Sequence, residues 1–236
     1  MVGARTFGMA GNRLIDAEID ARNPRTKNRE LPTGLLNRLD VLVFMAMSMS
    51  MFLLAVYNLS DWAGYTWPVV MAALIGYHYM KRFTWSSHLG LGFIYGLVPC
   101  GVWLAATNEL SWSAVLLGFG AGAWAAGFDT IYSTQDIDFD RKHNLHSIPA
   151  RFGIVRALVA AKMFHACTVA CIVIAGPLLE AGTLYYIGAA TFLGLLIYEH
   201  RLVSPGDLSK VNIAFFNMNG IISVLFFLFV ITDVFN

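Results

Sequence analysis

The 236-residue chain is 57% hydrophobic and 13% charged, where a soluble domain carries about a quarter charged residues. That deficit excludes a water-facing surface, and apolar runs near bilayer length recur throughout, which predicts an all-α integral membrane protein. The net charge of +1 excludes the basic field of a nucleic-acid binder, and three cysteines in apolar runs read as small buried residues with no disulfide framework.

In chain order the apolar segments run over about 1–20, 39–57, 63–79, 88–106, 112–134, 154–175, 181–200 and 211–232, a single membrane domain of about eight transmembrane helices. Lys and Arg crowd the first connection (Arg22, Arg25, Lys27, Arg29, Arg38), the third (Lys81, Arg82), the fifth (Arg141, Lys142, Arg151) and the seventh (Arg201, Lys210), and are absent from the second, fourth and sixth. By the positive-inside rule the odd-numbered loops are cytoplasmic.

Two stretches echo each other. Asn12, Asp16 and Asp20 end the first apolar segment at four-residue spacing and lead into a basic loop closing on Pro32 and Gly34. Asp129, Tyr132, Asp136 and Asp140 end the fifth, followed by Arg141, Lys142, Pro149 and Gly153. The repeat predicts halves of roughly 1–84 and 85–210, plus a last helix over 211–232. The second motif helix follows a complete apolar helix (88–106) and the first follows none, which predicts a further transmembrane helix upstream of Met1.

Four residues of α-helix rotate the side chain by about 40° net, so Asn12, Asp16 and Asp20 share a face spread over roughly 80°. On a continuous helix Asp129, Asp136 and Asp140 fall within about 40° of one another, with Tyr132 close by and Asp138 on the opposite side. Acids near the apolar phase cost about 2.5–3.5 kcal/mol each at mid-membrane and less towards an interface. Clustering them makes sense if cations neutralise them, and oxygen-only donors suit Mg²⁺, which completes its shell with water and phosphate. The pattern predicts two acid faces opposed across a cavity, clamping a diphosphate through bridging metals. The bland alternative is that the acids merely cap helices or meet loop cations, and it has to hold twice.

These residues resemble the UbiA superfamily of intramembrane prenyltransferases. Asn12, Asp16 and Asp20 are similar to its NDxxDxxxD-type motif, and Tyr132, Asp136 and Asp140 to its second, DxxxD-type motif. Asp129-Thr-Ile-Tyr132 has the form common among 4-hydroxybenzoate polyprenyltransferases. Arg13 stands where many members have a second acid, Gln135 where many have Lys, and Glu30 where the TxxRPL segment has Pro. Tyr77 to Thr84 resembles the YxxxKRxT segment of the third loop. The resemblance covers nearly the whole chain.

It implies nine helices around a central cavity, the first of them missing here, two Mg²⁺ ions, a polyprenyl diphosphate donor, a small aromatic acid acceptor and a multi-pass place in the inner membrane with the site on the cytoplasmic side. Asn12, Asp16, Asp20, Asp136 and Asp140 are then the metal ligands, with Asp136 and Asp140 catalytic. Arg29, Tyr77, Lys81 and Arg82 bind diphosphate, Tyr132 and Asn217 line the acceptor or prenyl pocket, and Asp129 positions the acceptor or takes its ring proton. The basic residues also satisfy topology alone, and the amides of Asn217 and Asn219 read first as bonds between helices. Rival acceptors are a dihydroxynaphthoate of menaquinone biosynthesis and haem- or chlorophyll-type substrates. A cation-coupled transporter with repeat halves is the reading from another class. It fits less well, because transporter sites lie at mid-membrane on broken helices, whereas these acids cluster at one edge of helices read as free of internal proline breaks.

Overall fold

A computed structural model describes residues 1–236. The chain is helical, and its only extended pairing is an isolated bridge between Ser204 and Asp207. It comprises two compact units, Met1–Phe83 with Gly101–Glu109, and Thr84–Cys100 with Leu110–Asn236.

The first unit contains α1 (Val2–Ile15), α2 (Ala17–Arg22), α3 (Arg38–Val56) and α4 (Asp61–Met80). Asn37 starts α3 through a reciprocal box: its Oδ1 accepts from Asp40 N–H at 3.0 Å, while Asp40 Oδ2 accepts from Asn37 N–H at 2.9 Å, satisfying two donors the helix leaves unpaired. Ser60 caps α4 by accepting from Ala63 N–H at 3.2 Å. Gly3 lets α1 approach α3, since a Cβ there would lie 2.7 Å from the Ser48 carbonyl.

The second unit holds most of α5 (Ser87–Thr107), then α6 (Trp112–Tyr132), a 3₁₀ turn (Ser133–Asp136), α7 (Ile137–Lys142), α8 (Ile148–Phe152), α9 (Ile154–Leu178), α10 (Thr183–Leu202), a π-helical turn (Ile213–Met218) and α11 (Asn219–Val234). Small residues let its helices close on one another. A Cβ on Gly92 would lie 2.6 Å from the Gly122 carbonyl oxygen, and one on Gly96 3.0 Å from that of Gly118, so α5 and α6 cross backbone to backbone. Ala125, Ala157, Ala161 and Ala175 are fully buried where α6 and α9 pack. Asp233, near the end of α11, accepts from Gly182 N–H at 2.7 Å and Tyr185 N–H at 3.2 Å, closing the start of α10.

Five stretches are long and apolar enough to cross a bilayer: Arg38–Val56, Ser87–Thr107, Trp112–Lys142, Ile154–Leu178 and Ile213–Val234. Side chains such as Leu54, Phe119, Met163 and Phe227 point outward, as lipid requires and water forbids. The chain is a multi-pass membrane protein. Of the eight segments, those carried by α1, α4 and α10 are shorter or less apolar than these five; α1 has 14 residues, and polar residues dilute α4 and α10.

Several expectations are corrected. Pro68, Pro99 and Pro177 lie inside α4, α5 and α9, so the helices are not proline-free. Only Cys171 of the three cysteines is buried, and Cys167 is exposed. The segment over 1–20 is not one helix, because the backbone breaks at Asp16.

Candidate active site

Each unit carries one acidic motif, and both break their helix at an acid. Asp16 ends α1 with φ −96° and ψ 6°. Asp136 precedes α7 with φ −104° and ψ 8°. Both sit in the sparsely populated bridge region where active-site residues recur. A six-residue helix follows each break, and four residues on comes a second acid that is buried, Asp20 at 5% exposure and Asp140 at 0%. This shared backbone geometry lies beneath the sequence repeat.

In the first unit Asn12 donates from Nδ2 to Asp16 Oδ2 at 2.9 Å and to His78 Nδ1 at 3.2 Å, while His78 Nε2 donates to the Gly8 carbonyl at 3.1 Å. With both amide hydrogens engaged, Asn12 keeps its carbonyl oxygen as the atom with which to meet a cation. His78, buried on α4, carries no local sequence signal because its partners are 66 and 70 residues away. Arg82 donates to the Ile15 carbonyl at 2.7 Å and approaches Asp16 Oδ1 at 3.4 Å. Arg29 Nη1 straddles both oxygens of Asp20, at 2.8 and 2.7 Å. Two residues predicted to grip diphosphate therefore contact the acids themselves. Burial, then the neighbouring charge of Asp20, raises the pKa of Asp16, and Arg82 only partly offsets this. Lys81 ends α4, and Tyr77, half-buried, lies with its ring centroid 4.0 Å from that of His78.

In the second unit the 3₁₀ turn overturns the common face predicted for Asp129, Asp136 and Asp140. Such a turn advances about 120° per residue in place of 100°, so its four residues carry Asp129 roughly 60–100° away from the other two. Asp136 and Asp140 stay neighbours along α7, both buried. Ser147 donates to Asp140 Oδ2 at 2.9 Å. Asp129 turns instead to His88 of α5, whose Nδ1 lies 2.6 Å from its Oδ2; this pair too was invisible to local spacing. Tyr132 stacks on Phe215 at 4.1 Å, and Phe215 meets Phe128 edge-on at 5.4 Å, an aromatic wall beside the acids. Asp138 is exposed, as its helical phase predicts. Asn217 is exposed on the π-helical turn. Asn219 donates to the Phe215 carbonyl within its own helix at 2.7 Å, where an interhelical bond was expected, because that carbonyl lies directly beneath its amide. His143 bonds the Phe139 carbonyl at 2.9 Å as a loop residue.

Each acidic motif offers carboxylate oxygens, with the Asn12 amide oxygen added in the first, and such oxygen donors are of the kind a hard cation such as Mg²⁺ takes. No group of three or more His, Cys, Asp or Glu side chains comes together to hold a metal ion.

The family model described as UbiA prenyltransferase family matches residues 1–221. The 4-hydroxybenzoate octaprenyltransferase of Vibrio campbellii is 29% identical over 224 residues, 94% of this chain and 78% of that protein. The protein of the same description from Marinobacter nauticus is 29% identical over 218 residues, 91% of this chain and 73% of its own. Among solved structures, the apo structure of a UbiA homolog from Aeropyrum pernix K1 superposes with a TM-score of 0.88 at 31% identity, covering 98% of this chain and 86% of that one. A digeranylgeranylglyceryl phosphate synthase follows at TM-score 0.72 and 21% identity, covering 98% and 82%, a likeness of fold alone.

Proposed function

The chain belongs to the UbiA prenyltransferase family, and from that premise we propose that it transfers a polyprenyl group from polyprenyl diphosphate to 4-hydroxybenzoate in quinone biosynthesis, with Mg²⁺ as cofactor, at the cytoplasmic face of the inner membrane. The observation that carries the reading is the pair of acids held at the same backbone break in both motifs, Asp16 before buried Asp20 and Asp136 before buried Asp140. Relatives described as 4-hydroxybenzoate octaprenyltransferases support the choice of acceptor.

Asn12, Asp16 and Asp20, and Asp136 and Asp140, are the residues that would hold Mg²⁺, with Asp20 shared with Arg29. When bound, the ion supplies positive charge to the oxygens of the leaving diphosphate. Arg29 and Arg82 neutralise Asp20 and Asp16 and present further N–H groups to phosphate, with Lys81 and Tyr77 beside them. The allylic C–O bond breaks and diphosphate departs with its electron pair. The ring carbon ortho to the phenolic hydroxyl then attacks the allylic carbon, Asp129 takes the displaced ring proton, and the aromatic faces of Tyr132 and Phe215 shield the cation from water.

The test uses membranes carrying the chain, labelled octaprenyl diphosphate, and 4-hydroxybenzoate or dihydroxynaphthoates as acceptors. Prenylated 4-hydroxybenzoate is expected, abolished by Asp136→Ala and by EDTA and restored after EDTA by added Mg²⁺. Product from the naphthoates alone would reassign the acceptor. No lipid product from any acceptor, or an Asp16→Ala variant as active as the parent, would overturn the transferase reading.

A further inference from the structure

His88 lies outside both acidic motifs, is 2% exposed, and is held at both ring nitrogens. Nδ1 lies 2.6 Å from Asp129 Oδ2. Nε2 lies 3.3 Å from the backbone nitrogen of Ile148. A backbone N–H can only donate, so Nε2 is the bare nitrogen, and Nδ1 carries the hydrogen that is given to Asp129. The ring has one tautomer and one orientation compatible with both bonds.

Ile148 follows Ser147, which is itself buried and committed twice. Ser147 Oγ donates to Asp140 Oδ2 at 2.9 Å and accepts from Ala150 N–H at 3.2 Å, capping α8. At the other end of α8, Phe152 meets Trp85 edge-on at 5.2 Å, anchoring this short helix against the segment that leads into His88. Two consecutive residues thus serve two acids, Ser147 by its side chain and Ile148 through His88. The continuous path is Asp140, Ser147, the Ile148 amide, His88 and Asp129, every contact within the second unit.

Asp129 is the least enclosed member, with 29% of its side chain exposed against 3% for His88. One carboxylate oxygen is taken by the imidazole, and the other is the atom with which Asp129 would meet an acceptor. We propose that His88 is a positioning residue for Asp129, and that through Ser147–Ile148 the placement of Asp129 is tied to Asp140. The acid that meets the aromatic acceptor and the acid that meets metal and diphosphate are then set by one short segment, so a displacement of residues 147–148 moves both. This rests on the transferase reading for what Asp129 does, but the relay itself can be tested without turnover.

The first experiment is ¹⁵N NMR of histidine-labelled full chain in lipid nanodiscs, with the His88 signals assigned by their loss in His88→Gln. The expected spectrum shows a protonated Nδ1 and a bare Nε2. Asp129→Asn should shift the Nδ1 resonance, and Ser147→Ala should shift Nε2. The opposite tautomer, or signals indifferent to both substitutions, would overturn the relay whether or not the chain is active.

The second measurement is steady-state kinetics with octaprenyl diphosphate and 4-hydroxybenzoate. His88→Leu should lower kcat/KM for the acceptor by about tenfold or more while changing KM for the diphosphate by less than about twofold. His88→Gln should recover activity to within about threefold of the parent, since its amide can donate to Asp129 and accept from Ile148. A purely structural histidine would affect both substrates alike and show no such rescue, and that result would overturn the positioning role. Thermal unfolding of each variant separates misfolding from mispositioning. If the parent prenylates no aromatic acid, the transferase reading falls by itself, and the imidazole spectra still decide the relay.

Discussion

Replacing Arg29 with Leu separates two roles for this residue. Its Nη1 sits 2.7–2.8 Å from both oxygens of Asp20, whose side chain is 8% exposed while that of Arg29 is 25% exposed. Removing one partner of a fully buried pair costs about 3–5 kcal/mol, because the remaining charge is stranded. The exposure of Arg29, and contact through a single nitrogen where a two-pronged fork was possible, reduce the expected loss to about 2–3 kcal/mol. For a chain of this size that lowers Tm by roughly 4–12 °C. Thermal unfolding in detergent with EDTA reads the effect directly. The double variant Asp20→Asn/Arg29→Leu should recover more than half of the loss, since it leaves no stranded charge. If Arg29 acts only on diphosphate, Arg29→Leu raises the donor KM and leaves Tm in place. An Arg29→Leu protein melting within about 1 °C of the parent would refute the ion-pair reasoning.

Other outcomes follow from the same contacts. Gly92→Ala places a Cβ 2.6 Å from the Gly122 carbonyl, which is backbone and cannot swing aside; about 1–3 kcal/mol should be lost, whereas Gly101→Ala, with nothing within 4 Å, should leave Tm unchanged or raise it. Asp233→Ala should cost about 0.5–2 kcal/mol and speed hydrogen exchange at the amides of Gly182 and Tyr185, a change that mass spectrometry reads locally. The folded-state pKa of Asp16 is raised by burial and by Asp20 above the 3.8 of an unburied aspartate, so its ionisation opposes folding: the penalty is absent below that value and complete once pH exceeds the folded pKa. Asp16→Asn should therefore raise Tm in EDTA at pH 7, gain less near pH 4, and lose activity. A lower Tm at pH 7 would show that the contact with Arg82 outweighs the desolvation.

The membrane fold was legible in the sequence because its cause is compositional: hydrocarbon demands long apolar helices whatever their partners are. The acidic spacing was legible too, since four-residue intervals survive in α7 and very nearly across the break at Asp16. Distant contacts and helix irregularities were not. Pro68, Pro99 and Pro177 lie inside helices, and the helices break at Asp16 and over Ser133–Asp136, so broken helices do not count against a transporter; the family match decides that question. Hydropathy and periodicity are sums over neighbours in the chain, so the amino-acid order by itself determined a multi-pass helical protein with two acid-rich motifs. Tertiary structure alone decided that Arg29 and Arg82 meet the acids, that a 3₁₀ turn swings Asp129 away from Asp136, that His78 meets Asn12 and that His88 meets Asp129. Each of those outcomes is a choice among partners many residues apart, made by helix packing and by the need to satisfy every polar group removed from water.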